Sequence, residues 1–274
     1  MEVSPPDAAT DHTVLEIVVP AFNEEHRLPD TLVGLRRALG ELGVPCRVTV
    51  VDNASIDDTA GIVAGAPSGA VPIRLLHCAE RGKGYAVRSG VLASDARYVG
   101  FCDADLATSV DDLEQVLTLL AGGADAVVGS RAHPDSVVEE RHSPLRRWGA
   151  VAFRGAVRQV VRTVSETQCG YKFFRGDLAR RVFEPLCCGG FAFDVEVLGR
   201  MERLGARVVE IPVNWVDVPG SRFSTVRHGW QSFFDVASIA WRLRRVEIAP
   251  ALPIVGLPLP QDVTGGAAAA GLRP

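Results

Sequence analysis

The sequence predicts an α/β fold, a mainly parallel sheet flanked by helices, and two observations carry that expectation. From Val14 to Gly129 short β-branched runs alternate with segments of helical periodicity, the rhythm of strands joined by helical crossovers. The 274 residues are 47% hydrophobic, enough to fill the interior that such a sheet needs on both faces.

In order, Val14 to Val19, Arg47 to Val51, Ile73 to Leu76, Tyr98 to Cys102 and Asp125 to Val128 read as strands. They are short and rich in β-branched and aromatic residues. Pro29 to Leu42, Asp57 to Ala64, Gly84 to Ala93 and Val110 to Leu120 read as the intervening helices. Beyond Gly129 the rhythm changes: a helix from Leu145 to Val164, a strand near Tyr171 to Phe174, helices near Asp177 to Phe183 and Phe193 to Leu204, and a strand from Arg207 to Val213. The expected organisation is a flexible N-terminus (1–13), one domain (14–248) whose halves divide at 131/132, and a loosely ordered tail (249–274). That tail carries five prolines and the run GGAAAAG, with weak periodicity and little charge.

A net charge of −4 gives no global electrostatic case for nucleic-acid binding. The six cysteines show no C-x-x-C spacing and several lie in apolar runs, which fits free thiols in a reducing cytoplasm. The polar start MEVSPPDAATDHT lacks the pattern of a signal peptide, and no stretch offers some 18 uninterrupted apolar residues for a membrane span.

The segment Asp103-Ala104-Asp105 follows the apolar run Tyr98 to Cys102. In an extended backbone residues i and i+2 project to one side, so both carboxylates can face one point beyond the strand end. Such a point suits Mg²⁺ or Mn²⁺ and the diphosphate it carries, although Asp is also common in plain strand-to-loop turns. The first strand ends in Pro20-Ala21-Phe22-Asn23-Glu24-Glu25 and the second in Val51-Asp52-Asn53. Both deliver amide or carboxylate groups to the same edge. Ser55 and Asp57 are expected to cap the next helix. In Arg81-Gly82-Lys83-Gly84-Tyr85 the glycines permit close backbone approach and Lys83 adds a charge, so an anion could sit at that helix N-terminus.

These motifs together, PAFNEE, VVDNASIDDT, RGKGYAVRSG and DADLATS in that order, resemble the family 2 glycosyltransferases with a GT-A fold. Thr167 to Phe174, Phe191 to Glu196 and Val213-Asn214-Trp215 look like the branch that glucosylates dolichyl or polyprenyl phosphates, with mannosyltransferases next to it. The resemblance covers about residues 14–245. It implies that Pro20, Asn23, Glu24 and Asp52 hold the nucleotide sugar, with Lys83 near the base or phosphates. By the same resemblance Asp103 and Ala104 meet the nucleoside and Asp105 binds the divalent cation. Mannosyltransferase relatives place a metal-binding Gln where this chain has Ala107, so a complete metal shell is not implied.

Arg131 and Arg222 match the family's phosphate-handling positions, a task that the planar guanidinium fork suits. Asp194 is the candidate base for a hydroxyl acceptor, with orientation of the loop or metal shell as its alternative role. His228 is a weaker candidate for the metal shell. The resemblance implies an inverting transfer, with UDP-glucose and polyprenyl phosphate as the first expectation. GDP-mannose as donor, a soluble hydroxyl acceptor and a non-catalytic nucleotide-sugar binder are the alternatives.

Arg147, Arg154, Arg158 and Arg162 recur at helical spacing, opposite a stripe of Leu145, Trp148, Ala152, Ala156 and Val160. Aromatics stand beside basic residues between His228 and Arg245. Both segments could touch an anionic membrane from the cytoplasmic side, or could be an ordinary solvated face and an ordinary packed one.

Overall fold

The computed structural model describes residues 13–139, 152–216 and 225–245. Its strands are β1 (Leu15–Ala21), β2 (Cys46–Asp52), β3 (Ile73–His77), β4 (Tyr98–Cys102), β5 (Ala126–Ser130), β6 (Val137–Glu139), β7 (Tyr171–Arg175), β8 (Val208–Pro212) and β9 (Asn214–Val216). The helices are α1 (Leu28–Gly40), α2 (Thr59–Ala64), α3 (Lys83–Leu92), α4 (Leu113–Ala121), α5 (Gly176–Phe183), α6 (Phe193–Arg203) and α7 (Thr225–Arg245), with a further short helical stretch at 152–157.

Seven strands form one sheet in the order β3-β2-β1-β4-β7-β5-β8, and β6 pairs with β9 in a second, two-stranded sheet. The β1, β2, β3 and β4 pairings are parallel, as is β5 with β8, whereas β7 runs antiparallel to both β4 and β5. The second half of the chain therefore threads its strand β7 into the middle of the first half's sheet. Successive residues of a strand face opposite sides. Accordingly Ile17 and Val19 join one core cluster with Leu28, Leu35 and Val116, while Val18 joins the other with Val87, Phe101 and Phe193.

Three expectations need correction. The expected helix from Leu145 to Val164 is helical at 152–157 and has left the helix by Val161; the part before 152 lies outside the described residues. The N–H groups of Arg162 and Thr163 donate to the Glu202 carboxylate at 2.7 and 3.1 Å, so they serve the contact with α6 instead of a helical ladder. The expected stripe is buried only in part: Ala156 and Val160 are half-buried and pack against the core. Val157 and Val161 are buried, Ala152 is exposed, and Leu145, Trp148 and Arg147 lie outside the described residues, while Arg154, Arg158 and Arg162 do face solvent. Finally, α2 starts at Thr59 and α4 at Leu113, later than expected, because side chains take over the preceding turns. Asp57 accepts the N–H of Thr59 at 3.1 Å, and Ser109 is bonded to Asp111 at 2.5 Å.

Candidate active site

The carboxyl ends of β1, β2 and β4 lie side by side, with Ala21 in register with Asp52. After β1 the chain turns through Asn23, whose φ of 54° is a left-handed conformation that Asn tolerates better than most residues. The turn is held by the segment after β2. Asn23 donates its N–H to Ser55 Oγ at 2.9 Å and accepts the N–H of Ile56 on its side-chain oxygen at 2.8 Å. The N–H of Glu24 goes to Thr59 Oγ1 at 2.8 Å, and that of Glu25 to Asp57 at 3.2 Å. Ser55 thus ties two loops together where a helix cap was expected. The Glu24 carboxylate is gripped by the Arg27 guanidinium at 2.7 and 2.8 Å.

Asp52 is buried at the end of β2, where it accepts the N–H of Ser55 at 3.1 Å and lies 3.2 Å from His77 Nδ1. Its neighbour Asn53 holds the next loop. The Asn53 amide donates to the carbonyls of Cys78 and Glu80 at 3.3 and 2.7 Å and accepts the N–H of Gly82 at 2.7 Å.

That loop delivers Lys83 to the first position of α3. Gly82 has a φ of 142°, and a Cβ there would lie 2.2 Å from the Gly189 carbonyl oxygen, so only glycine fits. The N–H of Gly84 donates to that same carbonyl at 2.9 Å. The N–H groups of Gly82 and Gly84 are thus used inside the protein, and Lys83 is the charged side chain at this helix end. Its Nζ is 2.5 Å from Asp103 Oδ1. Burial pulls the Lys83 pKa down, but the charges of Asp103 and Asp194 outweigh it and the pKa is raised.

Asp103 and Asp105 follow β4 directly, and Thr31 anchors the residue between them by donating to the Ala104 carbonyl at 2.6 Å. Asp105 Oδ1 accepts the N–H of Ala107 at 3.1 Å. Burial, and then the charge of Asp103, raise the Asp105 pKa in spite of Arg27 and Lys83 nearby. A carboxylate at Asp105 beside that of Asp103 fits a hard divalent cation. Among the described residues no group of three or more His, Cys, Asp or Glu could hold one unaided. A cation on Asp105 would take its remaining ligands from a diphosphate and water.

Asp194 opens α6 and is buried at 3% exposure, with Lys172 Nζ 2.8 Å from its Oδ1. Burial raises the Asp194 pKa, and the charges of Lys172 and Lys83 oppose the rise. Arg131, at the end of β5, stacks over Trp215 at 5.3 Å and is forked onto Glu166, which accepts its backbone N–H at 2.6 Å and its Nε at 2.8 Å. The phosphate-handling position expected of Arg131 is thus filled by an internal carboxylate. Arg222 lies outside the described residues, and so does the side chain of His228.

Lys83, Asp103, Asp105 and Asp194 therefore act on one another, while Asp52, Asn23 and Glu24 stand at neighbouring strand ends of the same sheet edge. Sequence reasoning passed over three residues. Asn53 was legible as an Asx residue after a strand. Arg27 is placed by its i,i+3 spacing from Glu24. Lys172 carried a fainter signal, a lone cation in the aromatic run Tyr171-Lys172-Phe173-Phe174.

Residues 16–198 match the family described as Glycosyl transferase family 2. The chain is 34% identical over 248 residues to dolichyl-phosphate beta-glucosyltransferase of Dictyostelium discoideum, covering 85% of this chain and 75% of that protein. It is 31% identical over 253 residues to the Homo sapiens protein of the same name, covering 84% and 78%. Among solved structures it resembles glucosyl-3-phosphoglycerate synthase of Mycobacterium tuberculosis in complex with UDP, with a TM-score of 0.62, 18% identity and coverage of 86% and 83%. The complex of that enzyme with Mn²⁺, UDP-glucose and phosphoglyceric acid aligns with a TM-score of 0.61 at 17% identity, covering 86% and 82%. These two likenesses establish the GT-A fold. Matched by that family over residues 16–198 and by its curated relatives over most of its length, the chain belongs to glycosyl transferase family 2.

Proposed function

We propose that this glycosyltransferase moves glucose from UDP-glucose to a polyprenyl phosphate, with inversion at the anomeric carbon and with a divalent cation, Mg²⁺ or Mn²⁺. The glucosyl group and the acceptor follow the relatives named dolichyl-phosphate beta-glucosyltransferase, which are matched over 75% and 78% of their own lengths. The fold neighbour crystallised with Mn²⁺ and UDP-glucose agrees with that donor.

One observation favours a phosphate acceptor over a hydroxyl. Asp194, the candidate base, is 3% exposed and already ion-paired with Lys172. A hydroxyl acceptor would need that carboxylate free to take its proton, whereas a lipid phosphate arrives as an anion and attacks without losing one. In this reading Asp52 and Asp103 orient the nucleoside and Asp105 holds the cation, which supplies charge stabilisation to the departing diphosphate. Lys83 adds a second positive charge on the same side, and Pro20, Asn23, Glu24 and Ala104 shape the rim that receives the donor. Arg131 and Arg222 handle phosphate oxygens, Arg131 by exchanging Glu166 for its ligand.

A lipid-borne acceptor calls for contact with a bilayer surface, and α7 offers one. Phe234 and Trp241 are 74% and 56% exposed and seven residues apart, so they share a helix face. Arg244 and Arg245 are exposed at its end, and Arg245 stacks on Trp241 at 3.9 Å. Aromatics with flanking cations suit an anionic membrane interface. No helix among the described residues is long and apolar enough to cross a membrane.

The test is a matrix of UDP-glucose and GDP-mannose against polyprenyl phosphate and soluble hydroxyl acceptors, with Mn²⁺, with Mg²⁺ and with EDTA. Glucosyl lipid that forms with UDP-glucose and vanishes in EDTA is expected. Transfer to a hydroxyl acceptor in preference to the lipid would overturn the acceptor assignment.

A further inference from the structure

Lys172 lies in the middle of the sheet, on the strand inserted antiparallel between β4 and β5, and it is fully buried. A lysine ammonium is rarely buried without a reason. Here Nζ donates to the Cys169 carbonyl, lies 2.8 Å from Asp194 Oδ1 and stands 5.3 Å over the Phe101 ring. Each of these contacts leads toward the candidate active site. Cys169 precedes Gly170, whose carbonyl accepts the N–H of Asp103 at 3.2 Å. Asp194 opens the helix whose preceding loop, through Gly189, receives the N–H of Gly84 beside Lys83. Phe101 is on β4, two residues before Asp103.

We infer that Lys172 is a positioning residue. It fixes Asp194 as a buried anion behind Lys83, so that Lys83 is held between two carboxylates, Asp194 on the protein side and Asp103 on the donor side. The resulting row of alternating charges, Lys172, Asp194, Lys83, Asp103, has one end in the core and the other where the nucleotide binds. Asp194 belongs to this row and does not take a proton from the acceptor. A compact ammonium on a flexible stem is poorly placed by its own side chain. On the donor side Lys83 is ion-paired with Asp103 at 2.5 Å; the start of its helix packs against the start of α6, where a Cβ on Gly84 would lie 2.7 Å from Phe193 Cβ, and there the Asp194 anion supplies a second constraint.

The inference rests on the reading that this pocket binds a uridine diphosphate donor. A buried ion pair that is merely structural behaves differently from one that positions Lys83. Removing one partner leaves a buried charge uncompensated, whereas replacing both with neutral groups of similar size is often tolerated. The variants are therefore K172M, the pair K172M/D194N, K83M, and the triple combination, each measured for thermal midpoint and for UDP affinity by calorimetry with Mn²⁺ present. K172M alone is expected to unfold well below the wild type, and K172M/D194N to recover most of that loss. Despite its recovered stability, K172M/D194N is expected to bind UDP about tenfold more weakly, the size of one charge-assisted contact. K83M in the wild type should cost a similar factor, and K83M added to K172M/D194N should cost almost nothing more. A stable K172M/D194N that binds UDP like the wild type overturns the role of Lys172, and so does full additivity of K83M with the pair. A wild type that binds no UDP overturns the donor reading and this inference with it.

Discussion

Gly170→Ala separates the architecture of the site from the stability of the fold. Gly170 is buried beside the end of β4, and a Cβ on it would lie 2.0 Å from Asp103 Oδ2 and 2.3 Å from Asp103 Cγ. Carbon and oxygen normally meet no closer than about 3.3 Å, so the carboxylate must retreat by about 1.3 Å. That movement breaks its 2.5 Å contact with Lys83. Gly170 is not among the residues with positive φ, so alanine fits its backbone and the effect is carried by the Asp103 side chain. The ion pair is partly solvent-exposed, at 19% and 37% for its two side chains, so its loss costs only about 0–1 kcal/mol of stability. For a chain of this size that is a shift of at most about 4 °C in Tm. A donor that relies on the placed carboxylate loses a charge-assisted hydrogen bond worth about 1.5–3 kcal/mol, a weakening of about 10- to 150-fold. Calorimetry with UDP and Mn²⁺ measures the second quantity and thermal unfolding the first. UDP affinity within about twofold of the wild type would refute the placement of Asp103 at the donor. A Tm loss beyond about 10 °C would refute the claim that the clash is relieved by one side chain.

Three further outcomes follow from the same geometry. Asp105→Asn keeps the shape and the acceptance of the Ala107 N–H but removes the charge, so UDP binding should lose most of its dependence on Mn²⁺; equal stimulation by Mn²⁺ in variant and wild type, read by titration, would exclude Asp105 as the ligand. Of the six cysteines, all free, Cys187 is exposed and the others are buried; burial pushes Cys46 and Cys169 up to about 11 and Cys188 up to about 12, so a maleimide at pH 8 should label one thiol per chain quickly, and mass spectrometry finding another site first would contradict the burial. Asp57 has a lowered pKa: burial opposes the shift, but hydrogen bonds from Thr59 and from the Glu25 N–H outweigh it. A carboxyl with a depressed folded pKa adds stability above its ordinary value of 3.8 and loses it as pH falls below that; Asp57→Ala should therefore lower Tm near neutral pH and flatten its decline in acid, and a parallel acid limb would contradict a stabilising role for its hydrogen bonds to Thr59 and the Glu25 N–H.

Much of this was legible in the residues. The strand ends carrying Asp52 and Asp103 could be placed because β1 to β4 are short apolar runs with polar stops, and their parallel register then brings the stops together. The insertion of β7 between β4 and β5 was not legible, since strand order depends on long-range pairing that no local pattern encodes. Lys172 was missed for the same reason: alternation along Tyr171-Lys172-Phe173 places its side chain on one face of the strand without saying that both faces are covered. Asn23 and Glu24 were recognised as belonging to the edge, but their hydrogen bonds to Ser55, Ile56 and Thr59 and the grip of Arg27 on Glu24 emerge only when the loops are brought together.

The central claim is that glucose leaves its nucleotide at this edge and is received by a lipid phosphate. Purified protein incubated with UDP-glucose, Mn²⁺ and polyprenyl phosphate, followed by mass and proton NMR spectra of the extracted lipid, tests it most directly. The predicted result is a lipid heavier by one hexosyl group, with the anomeric proton of a β-linked glucose on phosphate. Unmodified lipid beside free glucose and UDP would contradict it.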